Sequence, residues 1–99
     1  VKHRLFQMFQ KVEVARSHVR RLCMADAMTP GGLPFPYAAT SKIFVTQTAF
    51  EVASEALQMF GGNGLTREYP IEKILRDARS SLIEDGENYV LGLMAAARL

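Results

Sequence analysis

Between Thr29 and Pro36 the chain gathers three of its four prolines and two of its seven glycines, and no other stretch restricts its folding as much. Proline removes a backbone donor and glycine costs helix entropy, so this stretch reads as a loop that separates two helical runs. Upstream, Leu5, Met8, Val12, Ala15, Val19 and Leu22 recur in steps of three and four, which draws one apolar stripe down a helix. Phe6 and Phe9 widen the stripe, implying contact with more than one neighbour. No Ser, Thr, Asp or Asn precedes the run, so Val1 is expected to lie inside a helix that starts further upstream.

Downstream, Ser41 opens a second run. Val45, Ala49, Val52, Ala56 and Met59 share one face, with Ile43, Phe50 and Leu57 on the next, and this predicts a helix nearly surrounded by protein. Gly61-Gly62-Asn63-Gly64 ends it, because glycine after a helix takes a positive φ without strain. Pro70 suits the first turn of a third helix carrying Ile71, Ile74, Leu75, Ala78 and Leu82. Gly86 interrupts that pattern, and Val90, Leu91, Met94 and Ala97 mark a short final helix. No period-two run of β-branched residues appears. The predicted fold class is all-α, an antiparallel helical bundle with residues 1–99 in a single domain.

A formal charge of +2 and 22% charged residues give no polyelectrolyte character. The lone Cys23 has no partner for an internal bridge or a thiolate metal site, which fits a reducing compartment. No apolar run approaches the ~18 residues of a membrane span, and no leader opens the chain, so a cytoplasmic location is expected. The first helix carries Lys2, Arg4, Lys11, Arg16, Arg20 and Arg21. Without a helix-turn-helix, a stacking platform or a basic tail, this reads as a solvated face and no nucleic-acid partner is expected.

Two segments remain as candidates for chemistry. Gly61-Gly62-Asn63-Gly64 lacks the Lys and Ser/Thr of a P-loop and follows a helix instead of a strand, so it is either a plain turn or a set of backbone N–H groups open to an anion. Glu84-Asp85-Gly86-Glu87 places three carboxylates before a helix. There Asp is a favoured N-cap and acidic groups meet the positive helix end, or else one of them is a base. His3 and His18 read as solvated helix residues, and metal binding has no support.

The stretch Ala56-Leu57-Gln58-Met59-Phe60-Gly61-Gly62-Asn63-Gly64-Leu65, with Tyr69-Pro70-Ile71-Glu72-Lys73 and the pair Arg76-Asp77, resembles the signature region of the acyl-CoA dehydrogenase family. Glu13-Val14-Ala15-Arg16 resembles the end of one of the family's helices. The resemblance runs along the whole chain and is strongest from Ser41 to Ile83. It implies most of the C-terminal four-helix bundle of a three-part enzyme. The bundle would be incomplete, lacking its first helix and beginning partway along its second.

By the same resemblance the parent enzyme binds FAD and oxidises an acyl-CoA thioester to its α,β-enoyl form. Gln58, Gly61 and Gly62 would contact the adenosine and diphosphate part of a neighbouring subunit's FAD. The residue matching the family's catalytic Glu is Asp85, shorter by about one 1.5 Å bond, as in relatives that act on cyclic acyl-CoA esters. Glu87 stands where a flavin-binding Thr is common, and no flavin role is assigned to Glu87, Asn88 or Tyr89. The implied partners are an acyl-CoA substrate, further copies in a homodimer or homotetramer, and an electron-transfer acceptor protein. The location becomes the mitochondrial matrix for a eukaryotic parent. The competing expectation is a non-catalytic helical module for association or ligand holding, and residues 1–99 alone are expected to be inactive.

Overall fold

The computed structural model describes residues 1–99, and its regular structure is entirely helical: α1 (Lys2–Met28), α2 (Phe35–Phe60), a 3-10 turn (Gly61–Leu65), α3 (Ile71–Ser81) and α4 (Asn88–Ala96). α1 begins without a side-chain cap, as the sequence implies. α2 begins at Phe35, well before the expected Ser41. The prolines allow this because Pro36 lies in the first helical turn, where an N–H has no intrahelical partner anyway. The loop is correspondingly short and tied at both ends. The Leu33 N–H donates to the Asp26 carboxylate at 2.7 Å, and the Thr29 hydroxyl donates to the Ala25 carbonyl at 2.7 Å.

Side-chain pairings give the directions. Arg4 meets Glu55 at 3.3 Å and Lys11 meets Glu51 at 3.6 Å, so α1 runs antiparallel to α2. Arg79 stacks over Phe50, 6.0 Å from the ring centroid, and Arg98 over Phe35 at 4.8 Å. α3 therefore returns along the C-terminal half of α2 and α4 along its N-terminal half. The two short helices act as one return pass broken at residues 82–87. α2 is the hub, touching each of the other helices, while α1 touches α2 alone.

That arrangement leaves little core. Only 7 of 99 residues are buried, among them Ala15, Leu22, Ala39, Ala53 and Ile71. The accessible surface is 7143 Å², against about 5,600 Å² for a compact monomer of this mass. The expectation that α2 would be nearly surrounded is not met, since Phe44 is 50% exposed. Nor does the α1 stripe find two neighbours: Leu5, Phe6, Phe9 and Val12 stay open because α2 reaches one side of it only. His18 is not solvated as expected. Its ring lies edge-on to Phe44 with centroids 6.5 Å apart, and its Nε2 is buried without a hydrogen-bond partner. No helix is long and apolar enough to cross a membrane.

Candidate functional site

The glycine corner starts where α2 ends. Gly61 adopts φ 64 and ψ −146, backbone territory open essentially to glycine, and its N–H donates to the Gln58 carbonyl. Gly64 is needed for another reason, since a Cβ there would sit 2.8 Å from the Leu57 carbonyl oxygen and 3.1 Å from Phe60 Cβ. Phe60 in turn meets Tyr69 edge-on at 5.5 Å, which folds the segment before α3 back onto the corner. Gly62 differs from both. Its φ is not positive and a Cβ added to it meets nothing within 4 Å. No contact within the chain requires glycine at this position, and its backbone is open to an approaching group. Gln58 is exposed beside it and lines a shallow cleft of about 300 Å³ with Val1, Arg4 and Met59.

The acidic segment forms the break between α3 and α4. The Glu84 N–H donates to the Ser80 carbonyl and the Asn88 N–H to the Leu82 carbonyl, each at 3.0 Å, closing the loop on itself. Inside it, Asp85 has φ 55 and Gly86 φ 100, two successive left-handed residues. Asp is one of the few side chains that tolerate this region. A Cβ on Gly86 would also lie 2.8 Å from Leu91 Cδ2.

Asp85 is not the helix cap that its position suggests. Glu87 caps α4, its carboxylate accepting from the Val90 N–H at 3.0 Å. Hydrogen bonds from the Val90 and Tyr89 backbone, then the charge of Lys42, hold the Glu87 carboxyl below the usual glutamate range. Glu84 accepts from the Ser80 hydroxyl at 2.8 Å. The Asp85 side chain stands exposed beside these two engaged carboxylates.

Sequence reading missed the residues that anchor this loop to the hub. Lys42 Nζ donates to the Gly86 carbonyl at 2.8 Å and to Asn88 Oδ1 at 2.6 Å. Asn88 Nδ2 donates to the Thr46 hydroxyl at 3.0 Å, and that hydroxyl donates to the Lys42 carbonyl at 2.6 Å. Lys42 and Thr46 share one face of α2 at i,i+4 spacing, which is readable. That their partners lie 42 to 46 residues further on is not.

The structure does not bring the candidate residues together. Lys42, under the acidic loop, and Gly61 at the corner are 19 residues apart along α2, a separation of about 28 Å at 1.5 Å per residue. In α3, the motif residues Glu72, Lys73, Arg76 and Asp77 pair with one another, Arg76 to Glu72 at 2.6 Å and Lys73 to Asp77 at 2.7 Å.

A family profile described as "Acyl-CoA dehydrogenase, C-terminal domain" matches residues 1–99. The chain is 33% identical to the mitochondrial isobutyryl-CoA dehydrogenase of Dictyostelium discoideum, over 100% of the chain and 24% of that protein. It is also 33% identical to a short-chain specific acyl-CoA dehydrogenase of Clostridium acetobutylicum, over 93% of the chain and 25% of that protein. The chain thus spans about a quarter of the length of these curated relatives. Among solved structures it superposes with a TM-score of 0.85 and 33% identity on a chain described under "Electron transferring flavoprotein of Acidaminococcus fermentans: Towards a mechanism of flavin-based electron bifurcation", covering 96% of this chain and 24% of that one.

Proposed function

The chain belongs to the acyl-CoA dehydrogenase family, and from that premise we propose that it serves, within a longer FAD-dependent enzyme, as the C-terminal helical domain that supplies the base for acyl-CoA oxidation. The observation that carries the reading is the division of labour in the acidic loop. Glu87 caps α4 and Glu84 is bonded to Ser80, so the exposed carboxylate of Asp85 has no part in holding the loop. A carboxylate at that place accepts the proton from the substrate's Cα. FAD, when bound, supplies the acceptor for the hydride that leaves Cβ.

Gly62 supports the cofactor assignment, because its exposed backbone carries no side chain to keep an anionic group at a distance. Gly61 shapes the turn that presents it, and Gln58 lies exposed alongside. The span of about 28 Å between corner and loop favours the two serving different flavins in a homodimer or homotetramer. The large apolar surface of α1 and α4 fits such an assembly. Asp has less reach than Glu, and relatives named for isobutyryl and short-chain substrates fit a compact acyl group. The Acidaminococcus similarity supports an electron-transfer protein as the acceptor. Residues 1–99 alone should neither retain FAD nor turn over acyl-CoA, since base and flavin act only at fixed geometry.

The test is Asp85→Asn in the full-length protein. Asn also tolerates a left-handed backbone, so folding should be unchanged while turnover falls by about 10²- to 10⁴-fold. Near-normal turnover would remove Asp85 as the base and put the base, if there is one, outside residues 1–99; the association module predicts no turnover by wild type either.

A further inference from the structure

Resting on the reading of Asp85 as proton acceptor, we propose that Lys42 is a positioning residue for the reaction: its ammonium group, reaching from α2, sets where the loop carrying Asp85 stands. Two consecutive left-handed residues, Asp85 and Gly86, form a conformation that persists only when its surroundings over-determine it. The local restraints on the loop, from Ser80, Leu82 and the Glu87 cap, all lie on the α3–α4 pass itself. They fix the shape of the loop, and the packing of α3 and α4 on α2 brings it near the hub.

The loop's own hydrogen-bonded tie to the hub is Lys42. Its Nζ bridges the Gly86 carbonyl and Asn88 Oδ1, at 2.8 Å and 2.6 Å, gripping the loop on the residue next to Asp85 and again at the start of α4. Asn88 returns through Thr46 to the Lys42 carbonyl, so side chains and backbone form a closed ring of hydrogen bonds. Bonds from a charged donor are shorter and stronger than neutral ones, which suits this group to the task. The Gly86 carbonyl lies one peptide unit from the Asp85 Cα, so releasing it frees the carboxylate to drift. A displacement of ~1 Å from near-attack geometry costs about 10²-fold in rate.

The experiment uses the full-length protein with Lys42→Met, which keeps the aliphatic stem and removes the donors, Lys42→Arg, which retains charge and donors, and Lys73→Met as an α3 control. Lys42→Met should lower kcat by about 10- to 100-fold with little change in KM. The isotope effect of Cα-deuterated substrate on kcat should rise as proton removal slows. Amide exchange at residues 84–88 should speed up by about tenfold while the middle of α2 stays protected. Lys42→Arg should recover most of the lost rate, and Lys73→Met should match wild type. Adding Lys42→Met to Asp85→Asn should cost nothing further, because the two act through one group. If Asp85→Asn abolishes turnover while Lys42→Met stays within about twofold of wild type, the Lys42 proposal alone falls. If Asp85→Asn turns over normally, the base reading falls and takes this proposal with it.

Discussion

At the Gly61–Leu65 corner the restraints from Leu57, Gln58 and Tyr69 come from within ten residues, whereas the loop at residues 82–87 takes its anchor from Lys42, far away in the chain. Gly61 closes on Gln58, Gly64 packs on Leu57, and the Thr66 hydroxyl returns to the Asn63 carbonyl at 2.8 Å. The acidic loop closes locally through Leu82 and Ser80, but its position depends on α4 lying against α2 with Lys42 and Thr46 in reach. A corner of the first kind is a property of the segment. The second is a property of the packing, and it should respond to changes on a helix that contributes nothing to its own sequence.

The largest stability effect that sharpens the contrast is at Gly64. Gly64→Ala drives a Cβ against the Leu57 carbonyl, a backbone atom that cannot move aside cheaply. It is expected to cost about 2–3 kcal/mol, seen as a lower thermal midpoint of the full-length protein. Gly62→Ala, two residues earlier, meets nothing and should change stability by less than ~1 kcal/mol. It should nevertheless weaken FAD retention, measured as flavin lost on gel filtration. Unchanged flavin content in Gly62→Ala would leave the corner as a turn and no more.

A smaller effect tests the acidic loop through pH. The folded-state pKa of Glu87 is depressed, first by the Val90 and Tyr89 backbone bonds and then by Lys42. Its stabilisation is therefore complete above the ordinary glutamate value of about 4.5 and is lost as pH falls through the lower folded value. Protection of the Val90 amide from exchange, corrected for intrinsic rates, should fall across that acidic window in wild type and stay flat in Glu87→Gln. Because Glu87 is exposed, the change should be local to the first turn of α4. A pH-independent Val90 would show that the cap does not depend on charge.

Residues near one another in sequence settled the helical class, the existence of breaks after Thr29, at Gly61–Gly64 and around Gly86, and the motif that identifies the family. Three- and four-residue spacing, proline and glycine act within a turn or two, so their consequences can be read without knowing the fold. The early start of α2 was legible too, had Pro36 been weighed as a first-turn residue, as Pro70 was. Which carboxylate caps α4 was settled by the backbone of the loop, a conformation that composition does not reveal. Asp85 and Glu87 are both suitable by composition, and the choice went to Glu87, which is extended and accepts from the Val90 N–H, while Asp85 lies two residues earlier with a left-handed backbone. Tertiary structure alone decided that α1 covers one side of α2 only, that His18 is screened by Phe44, and that Lys42 meets Gly86 and Asn88. Each of these depends on two segments converging from tens of residues apart, and the spacing within either segment carries no information about the other.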